Sequence, residues 1–333
     1  MMNNKYLKNS GLLLVIIFGI FFSFNRASAL TLSPVRFEIS GNPGDTLTEE
    51  ITLINETQDI ETFYSSFVNF EAQGETGSPA FVEPKDDLGT WMSTEESIVL
   101  LPQATQKVPL TIKIPENAEP GGHFAVVFFG TSPKGAPGQV SIGANTGILV
   151  LLSVNGDVKE GGGLLGFNVK DNKFWHNTLP VNFEYKFTNE GNDRIKPTGE
   201  LKIKNTFFIT ADKLDGNPVS GNILPNSTRR FDITWIKSPR TEDYSAPSGF
   251  ISKFFDDVKY QWRNFAFGLY TAKLSLTYGT QNILTKDKAT FFVFPWQLLL
   301  VIFIILFIVI WGGKKLLKKY NKFIIEKARA NIQ

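Results

Sequence analysis

The stretch that decides the fold is Val108–Phe129, which reads VPLTIKIPENAEPGGHFAVVFF. Its two ends, Val108–Ile114 and Phe124–Phe129, have the composition of β-strands, and the turn-forming residues of Pro115–Gly122 separate them. Because Phe124–Phe129 is apolar throughout, we predict that it forms a central strand buried on both faces. The stretch therefore predicts a β-sheet, and the same texture extends from it in both directions.

Further strand-like runs lie on both sides of this stretch. In Leu47–Ile54, apolar and polar residues alternate, which is typical of a half-buried strand. Val181–Thr188 alternates in the same way in the second half of the chain. The other segments that we predict as strands are 35–39, 62–70, 147–154, 199–204, 230–236, 268–277 and 289–294.

The β pattern covers residues 30–293, which is long for one β-sandwich and comfortable for two. The flexible Gly161–Gly163 segment interrupts the strand pattern, which restarts after it. We therefore predict an all-β protein with two tandem β-sandwich domains, residues 30–159 and 160–293.

Residues 249–265 break the β pattern of the second domain. Their apolar residues recur at helical spacing with charged residues opposite, which predicts an amphipathic helix inserted between two strands. We favour packing of this helix on the sheet of the second domain, and the alternatives are that it lies on the membrane or docks a partner. Its candidate contact residues are Phe250, Phe254 and Trp262.

The first 29 residues are typical of a secretory signal peptide. Lys5 and Lys8 provide a positive start, Gly11–Phe24 is almost wholly apolar, and Ala27–Ala29 offers the small residues that a signal peptidase accepts. We therefore expect residues 1–29 to be cleaved off after they direct the chain out of the cytoplasm. The alternative is an uncleaved N-terminal anchor.

The C-terminal sequence predicts one transmembrane helix at 294–312 and a basic cytoplasmic tail at 313–333. Phe291–Trp311 has no charged residue, and about 20 apolar residues cross a bilayer. The lysine-rich tail places the C-terminus in the cytoplasm and the preceding domains outside the plasma membrane, and it either flanks the span or also lies on anionic lipid. The residues expected at the membrane interfaces are Trp296, Trp311, Lys314, Lys315, Lys318 and Lys319.

The formal net charge of +2 conceals regions of very different charge. Residues 30–293 contain 24 basic and 31 acidic residues, whereas residues 313–333 contain seven basic residues and one acidic residue. The acidic region has no basic stripe to displace counterions from phosphate, which argues against nucleic-acid binding. It also makes neutral glycan or protein partners more plausible than anionic wall polymers.

The supply of catalytic residues is small. The chain has no cysteine and two histidines, which excludes disulfides, thiolate chemistry and a multi-histidine metal site. His123 has no nucleophile motif beside it, so we predict a structural role, and we predict that His176 lies in a loop or at a strand edge. The acidic residues within 83–87, and Asp212 with Asp215, lack the spacing of a calcium loop, and we predict that they lie in solvated loops. We expect no catalytic, cofactor-binding or metal-binding residue and no small-molecule substrate.

Three segments of the first domain, Leu100–Val108, Ile112–Pro115 and Pro120–Phe129, resemble the N-terminal domain of the WxL-interacting proteins. Asn189–Pro197 and Phe267–Tyr270 are similar to the second domain of that family. These are bacterial surface proteins with a signal peptide, tandem immunoglobulin-like domains, a C-terminal span and a basic tail. Their first domain is distantly similar to the pilus-chaperone sandwich, so the resemblance implies that both sandwiches are immunoglobulin-like.

The resemblance also implies a noncatalytic surface role, with the first domain associated with peptidoglycan and the second with protein partners or host ligands. We therefore expect a membrane-anchored bacterial surface protein that binds cell-wall glycan or other surface proteins. Trp91, in a polar loop, is the best exposed candidate for stacking on a sugar. The alternative is a chaperone-like module that assembles secreted or surface proteins by strand donation. A hydrolase would need paired carboxylates or a nucleophile, and the sequence offers neither.

Overall fold

The structure is a computed structural model that describes residues 30–133 and 145–330. The predicted signal peptide, residues 1–29, lies outside the described residues. The described part is mostly β-strand with one long C-terminal helix, which confirms the predicted all-β class.

The described backbone divides into two compact units. One contains residues 30–71, 80–133 and 145–158, and the other contains residues 72–79 and 159–330. Each unit is an immunoglobulin-like β-sandwich whose described strands form sheets around a separate hydrophobic core. The chain forms two sandwiches because the apolar faces of the strands in each unit pack against one another and form one core per unit.

In the first unit, one sheet has the strand order β1-β3-β8-β6, and the other has the order β2-β10-β9-β4-β5 with β7 beside β4. The pairing of β2 with β10 is parallel. The elements are β1 (Leu30–Ser33), β2 (Arg36–Gly41), β3 (Thr46–Asn55), β4 (Glu61–Gln73), β5 (Ser78–Val82), α1 (Leu88–Trp91), β6 (Met92–Ser93), β7 (Ser97–Leu100), β8 (Thr105–Lys113), β9 (Gly121–Gly130) and β10 (Asn145–Val154).

Strand β9 occupies the centre of its sheet, between β10 and β4. Four consecutive residues, Phe124–Val127, are buried, although successive side chains of a strand point to opposite faces. The prediction of a central strand buried on both faces is therefore confirmed.

In the second unit, β11, β13 and β16 form one sheet, and the other has the order β12-β18-β17-β14-β15. The elements are β11 (Gly162–Val169), a 3₁₀ turn (Lys170–Asn172), β12 (Trp175–His176), β13 (Val181–Asn189), β14 (Thr198–Asn205), β15 (Thr210–Asp215), β16 (Ser227–Trp235), α2 (Phe250–Arg263), β17 (Gly268–Tyr278), β18 (Ile283–Val293) and α3 (Trp296–Ala330).

The core of the second unit is rich in aromatic side chains. Trp235 is fully buried, with its ring centroid 5.1 Å from that of Tyr270 and 5.9 Å from that of Phe291. Its indole N–H donates to the carboxylate of Asp212 at 2.9 Å, which satisfies the polar atom of a buried ring. The prediction of a solvated loop for Asp212 and Asp215 is wrong, because both residues lie in strand β15.

A buried amide closes the end of strand β3 in the first unit. The side-chain amide nitrogen of Asn55 donates to the carbonyls of Asp59 at 2.9 Å and Leu101 at 3.1 Å. Its side-chain oxygen accepts the backbone N–H of Thr57 at 3.0 Å. Asn55 is fully buried, so these contacts satisfy the polar atoms of its own side chain.

The second unit repeats this arrangement at the end of strand β13. The amide nitrogen of Asn189 donates to the carbonyls of Asp193 at 2.7 Å and Ile223 at 2.9 Å. Its oxygen accepts the backbone N–H of Gly191 at 2.9 Å. In both units, then, a buried asparagine ends a core strand, shapes the turn that follows it and fastens a distant segment.

Helix α3 begins at Trp296 and runs without interruption from the predicted span, 294–312, into the predicted tail. Its portion Trp296–Ile325 is long and apolar enough to cross a membrane and is almost entirely exposed. At 1.5 Å per residue these 30 residues extend about 45 Å, which exceeds the hydrocarbon core of a bilayer. The tail therefore prolongs the same helix.

Replacing Asn189 with Leu is expected to lower the free energy of unfolding by about 2–4 kcal/mol, because two carbonyls and one N–H would lose their partner inside the protein. The measurement is urea unfolding of the purified chain in detergent, followed by circular dichroism. Asn168→Leu, at an exposed position of β11, is the control and should change stability by less than about 0.5 kcal/mol. Equal effects of the two substitutions would contradict the role assigned to Asn189.

Candidate functional site

Trp91, the candidate sugar platform, lies at the end of the short helix α1. Asp87 caps this helix, since its carboxylate accepts the backbone N–H of Leu88 at 2.7 Å. The indole of Trp91 is half-buried against the core of the first unit, and its ring centroid lies 4.7 Å from that of His123. The expectation of an exposed loop position is therefore wrong for Trp91, because the helical turn places its ring at the edge of the core.

His123 connects β9 to helix α1. Its Nδ1 lies 2.6 Å from an oxygen of Asp87, and its Nε2 lies 2.8 Å from the carbonyl oxygen of Glu119. A carbonyl oxygen only accepts and a carboxylate favours a protonated partner, so the geometry suits an imidazolium that donates from both nitrogens. Neither ring nitrogen of His123 is then available to act as a general base.

The surroundings of His123 act on its pKa in opposite directions. Burial, the largest single influence, lowers the pKa, whereas the hydrogen bonds to Asp87 and to the Glu119 carbonyl raise it, as do the negative charges of both residues. The net effect is a pKa above the ordinary value for histidine. His123 therefore acts as a charged tie between α1 and the strand end.

The acidic residues do not assemble a metal site in the described ranges, 30–133 and 145–330. No group of three or more histidine or carboxylate side chains within them converges on one point. Glu83 and Asp86 are exposed, and Asp87 is engaged with His123.

Helix α2 is attached to its unit through its charged side. Arg240 forms ion pairs with Asp256 at 3.0 Å and Asp257 at 3.6 Å. The guanidinium also lies 3.9 Å from the ring centroid of Tyr244 and 4.4 Å from that of Tyr260, within the range of cation–π attraction. Arg240, Asp256, Tyr244 and Tyr260 are among the residues that line a cavity of about 240 Å³.

The end of α2 is also bound to the first turn of α3. The first N–H groups of a helix have no acceptor within it, and Gln261 supplies one by accepting the N–H of Leu298 at 2.9 Å. The amide of Gln261 donates in turn to the side chain of Gln297. The ring centroids of Phe254 and Trp296 lie 6.2 Å apart. Helix α2 is therefore fixed beside the start of the apolar helix.

The apolar side chains of α2 are not packed on a sheet, so the packing that we favoured is wrong. Phe250 is 87% exposed and Trp262 is 68% exposed, and Ile251 and Phe255 are exposed as well. Within α2 the buried residue is a polar one, Gln261. Polar residues of the helix make its contacts with Arg240 and Leu298, and Phe254 adds an apolar contact with Trp296.

The sequence reasoning missed other exposed aromatic residues of the second unit. Trp175, in the short edge strand β12, is 61% exposed. Phe207 and Phe208, in the turn between β14 and β15, are 78% and 79% exposed. The available signal was an apolar run, Phe207–Ile209, at a position where a hairpin turn is usually polar.

The six residues predicted for the membrane interfaces all lie in α3 and are exposed. Trp296 stands at its first position, and Trp311 lies 15 residues further on, about 22 Å along the axis. The ammonium of Lys315 lies 3.7 Å from the ring centroid of Trp311. The other exposed residues of this set are Lys314, Lys318 and Lys319.

Comparison with known proteins finds likeness in fold. No protein-family model matches the chain, and no curated protein matches it. The class 5 fimbriae chaperone CfaA is 11% identical and has a TM-score of 0.36 over 78% of this chain and 99% of its own. The E. coli chaperone DraB is 13% identical and has a TM-score of 0.34 over 80% and 96%.

A third match is the CsuC–CsuE chaperone–tip adhesion subunit pre-assembly complex from the archaic chaperone-usher Csu pili of Acinetobacter baumannii. It is 10% identical, with a TM-score of 0.36 over 79% of this chain and 98% of the matched chain. Membership of the WxL-interacting family stays a prediction.

The two histidines are expected to give stability opposite pH dependences. Because the pKa of His123 is raised in the folded state, its contribution is complete below the unfolded value, about 6.5, and is lost as pH rises through the folded pKa. Burial, the main influence, lowers the pKa of His176, so the folded state loses stability as pH falls below about 6.5.

Unfolding by urea between pH 5 and 9 measures both effects. His123→Gln should flatten the decline above about pH 6.5, and His176→Gln should flatten the decline below it. Each variant serves as the control for the other. A decline above pH 6.5 that persists unchanged in His123→Gln would refute the charged tie.

Proposed function

We propose that this protein is a membrane-anchored bacterial surface protein that presents two immunoglobulin-like domains for noncatalytic binding. Its partners are cell-wall glycan or other surface proteins, and it crosses the plasma membrane once. The observation that carries this proposal is an exposed apolar helix, Trp296–Ile325, joined directly to the last strand of a β-sandwich. In water such a helix would expose a large apolar surface, and a bilayer removes that cost.

The orientation follows from the distribution of basic residues around α3. Lys314, Lys315, Lys318 and Lys319 lie beyond the apolar part of the helix, and an excess of lysine marks the cytoplasmic side of a span. The sandwiches are then extracytoplasmic, which accords with a leader of signal-peptide character at residues 1–29.

The noncatalytic part of the proposal is supported by what the described side chains do. His123 uses both ring nitrogens in structural hydrogen bonds, and Asp212 is engaged with the buried Trp235. The exposed surface offers aromatic and polar groups for contact. Recognition by the faces and loops of a rigid sandwich needs no further chemistry.

Binding is tested by incubating the purified chain, in detergent, with isolated cell wall and with an extract of surface proteins. We expect it to sediment with the wall or to cross-link to a surface protein identified by mass spectrometry, and to release no soluble wall fragments. A heat-unfolded sample is the control for nonspecific adhesion. Retention of neither component, or release of wall fragments, would contradict the proposal.

Anchoring is tested separately by deleting residues 296–333. The full chain should stay with membranes during an alkaline carbonate wash and leave them in detergent, whereas the truncated chain should be released into the medium. Immunoblotting of the fractions measures both. Release of the full chain by carbonate alone would show that α3 does not span the membrane.

A second candidate is a chaperone-like module that assembles other surface proteins by strand donation. The observation that favours it is an open edge on β10. Strand β9 pairs with the whole of β10, whereas β2 pairs only with residues 149–154. Among the described residues, 145–148 therefore have a strand partner on one side only. Such an edge can add a strand from another chain. This function requires a partner that aggregates when produced without the protein. A partner that folds and stays soluble alone would rule it out.

A further inference from the structure

Several exposed apolar segments of the second unit converge at the end of the sheet from which α3 departs. In the register of this sheet, Gly268 pairs with Val293, two residues before Pro295, and Trp175 pairs with Phe292. On the other side of β17, Asn205 pairs with Tyr270, so the turn that follows β14 lies at the same end. One end of the sheet therefore holds three features: Trp175, the tip of the β14–β15 turn, and the start of α3.

Aromatic contacts make this end continuous. The ring centroids of Trp175 and Phe292 lie 4.8 Å apart, and those of Phe267 and Phe292 lie 6.4 Å apart. Phe267 also contacts Phe294, at 6.1 Å between centroids, and this residue leads directly into α3. An apolar surface thus extends across the sheet end to the apolar helix.

The turn between β14 and β15 holds its aromatic residues outward at a local cost. Phe208 has φ of 61°, a left-handed conformation that bulky side chains rarely adopt. Asn205 supports this conformation, because its side-chain oxygen accepts the N–H groups of Phe207 and Ile209, each at 3.0 Å. Glycine or asparagine would fit this position with less strain, so the aromatic ring has a use beyond the fold of the turn.

Helix α2 adds the remaining residues of this surface. Its link from Gln261 to Leu298 places it beside the first turn of α3, and its exposed residues include Phe250, Ile251 and Trp262. Lys253, Lys259 and Arg263 are exposed on the same helix. Apolar side chains bordered by basic ones are characteristic of a helix that lies in a membrane interface.

We propose that the second unit lies on the plasma membrane, at the membrane–water interface that faces away from the cytoplasm. The side chains that contact this interface are called the aromatic collar. The collar consists of Trp175, Phe207, Phe208, Phe250, Ile251 and Trp262. This inference rests on the proposed function, because the span brings the membrane to the collar. The occupant is lipid, since ring contacts lead from Trp175 to the start of α3, α2 is bound to the first turn of that helix, and aromatic side chains favour the headgroup region.

Because the chain has no cysteine, a single introduced thiol reports on one position. The full chain carrying Ile251→Cys or Phe207→Cys is labelled with a nitroxide and reconstituted into vesicles of phosphatidylethanolamine and phosphatidylglycerol. Collision rates with oxygen, which enters lipid, and with a nickel chelate, which stays in water, are then measured by electron paramagnetic resonance. Gln281→Cys, at the exposed tip of the β17–β18 hairpin, reports the far end of the same sheet, and Phe303→Cys reports the span.

Labels at positions 251 and 207 should collide several-fold less with the nickel chelate than the label at position 281, and more with oxygen. If both match position 281 while position 303 is deep in the bilayer, the collar does not contact lipid and is instead free to bind a protein. If position 303 is also accessible to the chelate, α3 does not span the membrane. That result would contradict both the proposed function and the lipid contact of the collar. Circular dichroism of each labelled variant checks that it is folded.

Discussion

Both units depend on burying at least one face of each core strand, because the chain has no cysteine to cross-link them. Burial of apolar surface contributes roughly 25 cal/mol per Å², so sandwiches of this size need closely packed side chains such as Val127 and Trp235. The same burial makes backbone groups at strand ends costly unless they are paired. Asn55 and Asn189 meet this need with equivalent amide contacts, which is why the two units share one solution at equivalent strand ends.

The end of the second unit nearest α3 reverses the usual arrangement of a helix on a sandwich. Helix α2 directs charged and amide groups toward Arg240 and the first turn of α3, and it exposes Phe250, Phe255 and Trp262. In an isolated soluble domain this would leave an apolar surface in water. In the proposed anchored protein, the same surface lies beside a bilayer that would cover it. We therefore propose one explanation, a bilayer, for both the apolar helix and the exposed collar.

Periodicity in the sequence predicted the strands well where one face is buried, as in Leu47–Ile54 and Val181–Thr188, which form parts of β3 and β13. It also located α2, because amphipathic spacing is a local property. It predicted the wrong neighbour for that helix, since an apolar helix face has the same spacing whether it packs on a sheet or on lipid. The position of Trp91 was misjudged for a related reason: a four-residue helix capped by Asp87 has no periodic signal.

By itself the sequence determined the all-β class, the two sandwiches, the amphipathic helix and the apolar C-terminal segment, because each follows from the order of apolar and polar residues along a few turns or strands. Tertiary structure alone decided what each surface faces. The ties of His123 to Asp87 and of Gln261 to Leu298 join residues 36 and 37 positions apart. Likewise, Trp175 and Phe208 lie at one sheet end through strand register, which depends on pairing between distant segments and leaves no local pattern.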